Sequence, residues 1–562
     1  MSPNSKWFSF LFLFLIALGA VDAWFGRQSY VAGDTISYMD MARAIEHGKL
    51  EQAINGHWSP LYPLLIAAFI EPIGTAPSLE FATVRVLNFL VFLVTIGAFH
   101  LVLTRLWDRA QLTAKPPEAK PLLSRSQVLL AGYALLAWGC FDLTVVSRIS
   151  PDLCVAAVTF AAAALYLSLE DQTASVATFA LFGAVLGIGY LLKAIFFPLA
   201  FLFLLAAACA CLAYRADRRL LLSAAVFLLI AAPLVGALSL KYGHLTFGES
   251  GRNTFRTDVL MMPLVHWQGG PSDHGLPEHP TRKLLDNPDV YEFAQPISAT
   301  YPPWYDPTYW NKGAVLHFGT WEYGRALLRN VKRLAVLLWF AIPLGIALAL
   351  LRRHLALEMS APLPIKLLGL VAAANLLLYL VLLVEPRYLA GCLPLLGLVV
   401  LVSLRTQLTR RRPIGAALVA LLITGVAIDA GPRLARTAAD LVTSRGHVHA
   451  DAWLVADELF RIGIHPGTPV AAIDHQDQMH WSVASISDWA FLAQVKIVSE
   501  AFPSDPLNQK EFWDVSLTRQ ALALDVFRRA GARIVVASGV PSTANTEGWS
   551  RIGTTDYYYK LL

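Results

Sequence analysis

Four ionisable residues stand at the ends of long apolar runs in this sequence. Asp34 lies in GDTISYMD, Asp152 in SRISPDL, Lys193 in GYLLKAIFFP and Arg387 in EPRYLAGCLP. Two acids and two bases at one membrane interface suit a reaction in which a membrane-anchored phosphate is the leaving group. A carboxylate can accept the proton of the attacking group, and cations stabilise the charge that develops on the phosphate. Because a phosphate is a weak base, the chemistry needs no paired general acid.

Each of these residues also has a structural explanation. Asp34 could cap the helix that follows it, and Asp152 follows Pro151 at a helix start, where an acid meets the helix dipole favourably. Lys193 and Arg387 could extend to the membrane surface as anchors. The site hypothesis rests on the four residues falling on one side of the membrane, which depends on the predicted spans.

The apolar runs predict an α-helical polytopic membrane protein. Of the 562 residues, 56% are hydrophobic and 15% are charged, against about 45–50% and 25% in soluble domains. A helix needs roughly 20 residues to cross the hydrocarbon core. Eleven spans are predicted, at residues 7–25, 82–106, 126–147, 150–169, 175–192, 195–213, 220–241, 331–351, 365–384, 386–405 and 413–432.

The distribution of Lys and Arg predicts the orientation, because these residues accumulate in short cytoplasmic loops. With the N-terminus inside, every basic cluster falls inside except Arg329, Lys332 and Arg333, which we interpret as part of an interfacial helix. The sequence therefore predicts a multi-pass protein of the cytoplasmic membrane whose C-terminal region lies on the exocytoplasmic side. The first apolar run also has signal-peptide features, which leaves its cleavage open.

Two domains are predicted. Residues 1–436 form the transmembrane domain with outer-face loops at 26–81 and 243–330, and residues 437–562 form a small soluble α/β domain. The apolar piece LYPLLIAAFIEPIG in the first loop is too short to span and is placed in the interface. The net charge of +5 reflects the inner-loop arginines and is no evidence for nucleic-acid binding.

The motifs GDTISYMDMA, SPLYPLL, SPDL, a Lys after GYLL and RYLAGCLP occur in an order that resembles the GT-C membrane glycosyltransferases. The likeness covers roughly residues 7–405 and is greatest to the bacterial branch of protein mannosyltransferases and aminoarabinose transferases. It implies a GT-C-like fold, a polyprenyl-phosphate sugar donor and an acceptor on the outer face. It also implies catalytic roles for Asp34 and Asp152, and lipid-phosphate contacts for Lys193 and Arg387.

Three further residues, His57, Tyr62 and Tyr388, lie in or beside these motifs, and Arg85 opens the second predicted span. All four are predicted to bind substrate. The chain departs from the family pattern because Asp34 and the next acid, Asp40, are six positions apart and do not share a helix face. No metal site is predicted, and a requirement for a divalent metal is left open.

Two alternatives stay open. A transporter or flippase of lipid-linked sugars would place its ionisable and helix-breaking residues near the bilayer midplane, whereas here the charges lie at the outer turns. A non-catalytic scaffold that recruits partners through its C-terminal domain is compatible with the sequence. The sugar, the acceptor and the oligomeric state are not specified by any motif.

Overall fold

The computed structural model describes residues 3–25, 33–74, 79–112, 120–169, 174–214, 218–269, 275–354, 357–407, 411–443, 451–474, 483–502 and 511–562. These residues are mostly helical. Their α-helices are α1 Pro3–Phe25, α2 Gly33–Glu46, α3 Leu50–Ala53, α4 Leu61–Ile70, α5 Glu80–Leu112, α6 Arg125–Trp138, α7 Asp152–Ser168, α8 Val176–Leu192, α9 Phe196–Tyr214, α10 Leu220–Tyr242, α11 Ser250–Thr254, α12 Pro302–Tyr305, α13 Thr320–Leu337, α14 Ile342–His354, α15 Leu363–Leu380, α16 Cys392–Ser403, α17 Arg411–Thr443, α18 Asp451–Arg461, α19 Val483–Leu492 and α20 Leu517–Arg529.

The strands form two sheets. In chain order they are β1 Lys120–Pro121, β2 Arg282–Leu285, β3 Val290–Glu292, β4 Glu358–Met359, β5 Leu404–Thr406, β6 Pro469–Asp474, β7 Lys496–Ala501, β8 Ile534–Ser538, β9 Ser550–Arg551 and β10 Tyr558–Leu561. A small antiparallel sheet has the order β1-β5-β4, and a seven-stranded sheet has the order β2-β3-β7-β6-β8-β10-β9.

The chain divides into two compact units, each assembled from three segments. The first unit comprises Met1–Arg27, Val84–Thr254 and Thr320–Arg445, and the second comprises Gln28–Thr83, Phe255–Gly319 and Gly446–Leu562. The second unit thus gathers the two predicted outer loops with the C-terminal region.

The first unit is a bundle of apolar helices. Its helix α8 packs against α7, α9 and α10, and two glycines explain the close approach to α10. A Cβ atom at Gly183 would lie 2.2 Å from the carbonyl oxygen of Ser223, and one at Gly187 would lie 2.7 Å from the side chain of Ile230. Small residues four positions apart are typical of tightly packed membrane helices. Larger side chains here would force the two helices apart.

Ten of the eleven predicted spans overlap an apolar helix and the eighth overlaps a bent pair of helices, and the helices differ in length. Within the described residues, five helices are long and apolar enough to cross a membrane, or six if the bent pair Thr320–Leu337 and Trp339–Arg353 is one span. The other five predicted spans correspond to shorter apolar helices of 10–17 residues. A multi-pass helical architecture is therefore supported, and the count of eleven stays a prediction.

The eighth predicted span differs from expectation because its helix is broken. Helix α13 begins at Thr320, well before the predicted start at 331, and the chain bends by 58° before the following helical segment. The sequence of α13 is amphipathic, with Arg325, Arg329, Lys332 and Arg333 among apolar residues. A cationic amphipathic helix of this kind is typical of a membrane interface. The interfacial position of this basic cluster stays a prediction.

The seven-stranded sheet is the core of the second unit. Strands β7 and β8 both run parallel to the central β6, and their residues are buried almost throughout. Strands that are buried on both faces have continuous apolar sequences, which is why PVAAI and IVVAS can be recognised as strands in the sequence. The sheet is not confined to the C-terminal region, because β2 and β3 come from the loop after α10 and join the edge of β7.

Helix α2 is anchored within the second unit. Its buried Asp40 accepts hydrogen bonds from the backbone N–H and the hydroxyl of Thr300, each at 2.9 Å. One turn later, Arg43 donates to Glu80 at 2.9 Å and lies over the ring of Phe491. The first predicted outer loop is therefore fixed to both other segments of this unit.

Candidate active site

Lys193 and Arg387 converge on the carboxylate of Asp152 in the first unit. Lys193 Nζ lies 2.5 Å from Asp152 Oδ1, and Arg387 Nε lies 3.7 Å from Oδ2. The hydroxyl of Ser150 donates to Oδ2 at 3.0 Å. Asp152 is only 3% exposed, whereas Lys193 and Arg387 keep part of their side chains at the surface. Two cations around one buried anion give this cluster a net charge of +1.

Local structure explains how three distant residues reach this point. Asp152 is the first residue of α7, directly after Pro151, so the helix start fixes its backbone. Lys193 ends α8 in an extended conformation and donates its N–H to the carbonyl of Gly189. A Cβ atom at Gly189 would lie 2.3 Å from the ring of Phe196, so glycine permits the tight turn into α9. Arg387 lies in the 3-10 turn Pro386–Leu389.

Tyr388 supplies an aromatic wall to the same cluster. Lys193 Nζ lies 3.5 Å from the centre of its ring, and the Arg387 guanidinium lies 5.1 Å from it. The ring in turn stacks on the buried Tyr379 at 5.2 Å. Cation–π contacts of this kind hold an ammonium group without neutralising it. The predicted residues Asp152, Lys193, Arg387 and Tyr388 are thus brought together.

Arg85 lies in the first unit but has a different set of contacts. It is buried, and its Nε donates to the carbonyl oxygen of Ser147 at 3.0 Å. One turn along α5, Asn88 donates to the carbonyl of Arg148 at 2.7 Å. Both side chains therefore hold the loop that leads to Ser150 and Asp152. A substrate-binding role for Arg85 stays a prediction.

The other three predicted residues, Asp34, His57 and Tyr62, belong to the second unit. Asp34 is half-buried in the first turn of α2, which begins at Gly33. In that position its carboxylate meets the positive end of the helix dipole. Asp34 thus lies inside the helix, not at the N-cap position that the structural alternative gave it.

Aromatic side chains surround His57 and Tyr62. The His57 ring lies 4.3 Å from Trp58 and 4.6 Å from Trp310. Tyr62 is fully buried and meets Tyr38 edge-on at 5.5 Å. These residues hold the start of α4 against α2, and their predicted contacts with substrate remain untested predictions.

We call Asp152, Lys193, Arg387 and Tyr388 the cation cluster. Two residues that contact it were not predicted from the sequence. Ser150 binds Asp152 from two positions before it, a spacing that SPD makes visible. Tyr379 lies under Tyr388 from the preceding helix, and no motif marks it. Within the ranges that the structure describes, no group of three or more His, Cys, Asp or Glu side chains could hold a metal ion.

Comparison with known proteins yields matches among solved structures. The crystal structure of ArnT from Cupriavidus metallidurans bound to undecaprenyl phosphate matches with a TM-score of 0.54 at 14% identity, covering 99% of this chain and 98% of that one. The apo crystal structure of the same protein matches with a TM-score of 0.54 at 15% identity and the same coverage. No family model and no curated protein sequence matches the chain.

Proposed function

We propose that this chain, which has the fold of ArnT over nearly its whole length, is a membrane glycosyltransferase. It would move a sugar from a polyprenyl-phosphate donor to an acceptor on the outer face of the cytoplasmic membrane, with its second unit on the exocytoplasmic side. The observation that carries the proposal is the convergence of Lys193 and Arg387 on Asp152. One of the solved ArnT structures is bound to undecaprenyl phosphate, which is the class of carrier proposed here.

The cation cluster suits a lipid phosphate better than a neutral ligand. Its net charge of +1 leaves one positive charge for a phosphate, and Tyr388 adds a ring beside the cations. When the bond from the sugar to the phosphate breaks, negative charge grows on the phosphate oxygens. Fixed cations stabilise that charge more in the transition state than in the ground state, which accelerates the reaction.

Asp152 would serve this reaction by orienting the cations. Its Oδ1 accepts a hydrogen bond from Lys193 and its Oδ2 one from Ser150, and Arg387 lies 3.7 Å from Oδ2. A buried carboxylate in that state is a counter-ion that holds Lys193 and Arg387 in place. For the proton of the acceptor, we assign general-base catalysis to Asp34, in the first turn of α2.

The proposal is tested by sugar transfer with purified protein in lipid nanodiscs. The substrate is a radiolabelled polyprenyl-phosphate sugar, and binding of undecaprenyl phosphate is measured in parallel. Arg387→Met should weaken both binding and transfer, because a charge-assisted contact with the phosphate is lost. Arg436→Met is the matched control, since Arg436 is exposed on α17. Binding by Arg387→Met equal to that of the wild type would remove the proposed phosphate site.

One further network favours the second candidate, a flippase of lipid-linked sugars. Asp429, inside α17, accepts hydrogen bonds from Trp138 Nε1 and Trp339 Nε1, each at 2.9 Å, and Arg433 donates to the carbonyl of Asp142 at 3.1 Å. Ionisable residues within membrane helices often mark transport pathways. A flippase would move the intact donor across vesicle membranes without releasing sugar, whereas a transferase consumes the donor only when an acceptor is present.

A further inference from the structure

The segment that leads from α15 to Arg387 has no regular secondary structure. Residues 381–385 connect the end of α15 to the 3-10 turn Pro386–Leu389, and Val384 within the segment is buried. Backbone N–H and C=O groups inside a membrane domain must find partners within the protein. The partners of this segment decide where Arg387 lies.

A single buried amide on α13 supplies two of these partners and a third at the last residue of α15. Asn330 is 1% exposed. Its Nδ2 donates to the carbonyl oxygens of Leu380 and Leu382, both at 3.0 Å, and its Oδ1 accepts from the N–H of Val384 at 3.3 Å. The side chain thus spans the last residue of α15 and the irregular segment that follows. No two of these backbone groups can separate without breaking a bond to Asn330.

The next turn of α13 adds a second, weaker attachment. Arg333 Nη1 donates to the carbonyl oxygen of Val384 at 3.4 Å and lies 3.6 Å from the carboxylate of Glu385. Both Arg333 and Glu385 are about 40% exposed, so this ion pair contributes less than the buried amide. Glu385 is two residues before Arg387, and α13 therefore contacts the segment up to the start of the 3-10 turn.

We propose that Asn330 is a positioning residue that holds Arg387 at the phosphate site, an inference that rests on the proposed function. Asn330 does not contact Arg387 itself. It acts through the backbone of residues 380–384, because their position sets the direction in which the 3-10 turn begins. Without the three bonds, the segment can move, and Arg387 reaches the distance seen from Asp152 in only a fraction of the molecules.

The test is a double-mutant cycle on binding of undecaprenyl phosphate. Arg387→Met should lower the affinity about 10- to 150-fold, as expected for loss of a charge-assisted hydrogen bond. Asn330→Ala should lower it by roughly twofold or more, the low end for members of one network, and by no more than Arg387→Met does. If Asn330 acts through Arg387, then Asn330→Ala should have no additional effect on the Arg387→Met protein. Asn375→Ala, which removes another buried amide from α15, should bind like the wild type.

Hydrogen exchange gives a readout that does not depend on activity. In Asn330→Ala, the peptide containing residues 381–388 should exchange faster than in the wild type, while peptides from α8 should be unchanged. Because Asn330→Ala could prevent folding, Arg333→Met serves as a milder variant on the exposed attachment and should shift binding and exchange in the same direction.

The outcomes separate this inference from the function on which it rests. Additive effects of Asn330→Ala and Arg387→Met, or unchanged affinity and exchange in Asn330→Ala, would overturn the positioning role while the phosphate site stands. Wild-type affinity in Arg387→Met would overturn the phosphate site, and the positioning role would fall with it. Faster exchange with a non-additive loss of affinity supports both.

Discussion

Replacing Lys193 by methionine separates a structural role of this lysine from a chemical one. The substitution keeps an unbranched side chain but removes the charge 2.5 Å from Asp152, which is only 3% exposed. Removing one partner of a buried ion pair typically costs 3–5 kcal/mol, since the other charge stays uncompensated. Arg387 still lies 3.7 Å from the carboxylate, and the Lys193 side chain is 22% exposed. The lower end of that range, about 3 kcal/mol, is therefore expected.

The double variant Asp152→Asn with Lys193→Met resolves the two roles. It removes both charges, so most of the lost stability should return in thermal unfolding of the detergent-solubilised protein. Donor binding should not return, because the phosphate still lacks one cation. Loss of a charge-assisted hydrogen bond of about 1.5–3 kcal/mol corresponds to roughly 10- to 150-fold weaker binding. Wild-type transfer by the double variant would refute the reasoning, because Lys193 would then serve only as the partner of Asp152.

Three further predictions concern the base, the topology and the C-terminal region. Asp34→Asn should lower sugar transfer about 10²- to 10⁴-fold and leave undecaprenyl phosphate binding intact; an unchanged rate would leave only a helix-dipole role. A cysteine at Thr543 should react with a membrane-impermeant thiol reagent in intact cells and one at Arg353 should not; the reverse pattern would invert the predicted orientation. Burial raises the pKa of Asp488 to about 7, against about 3.9 in an unfolded chain. The folded state then holds an extra proton between about pH 4 and 7, so stability falls as the pH rises through this window. Asp488→Asn should remove this decrease in stability, so the melting temperature of the variant should exceed that of the wild type by more at pH 8 than at pH 5. A difference that does not change with pH would contradict the prediction.

The cation cluster was accessible from the sequence because charged residues at the ends of apolar runs have few alternative locations. Asp152, Lys193 and Arg387 each follow or precede a tight turn, and the orientation predicted for the spans puts these turns on one side. Their mutual contacts were not predictable, since these depend on how α7, α8 and the 3-10 turn pack. Asn330 was missed for a related reason. A single Asn in an amphipathic helix gives no pattern, and its partners are backbone groups 50 to 54 positions away.

The edge strands of the large sheet show which part of the second unit could not be predicted from the sequence. Strands β6, β7 and β8 are visible as apolar runs because they are buried on both faces. Strands β2 and β3 are only four and three residues long and lie in a loop rich in Pro and Gly. Their pairing with β7 joins Val290 to Ala501, a separation over which sequence pattern carries no information about register. Continuous apolar runs therefore mark the centre of the sheet, whereas no sequence pattern marks β2 and β3 at its edge.

The three-segment construction of the second unit has a consequence for biosynthesis. Helix α2 and the β2–β3 hairpin leave the ribosome long before β6 and β7, and the helices α13 to α17 are synthesised in between. Contacts between segments so distant in sequence form late. Until translation passes residue 501, the hairpin edge that pairs with β7 stays open, and unpaired strand edges favour misassembly. A nascent chain interrupted within the last quarter of the message would thus display an unfinished sheet.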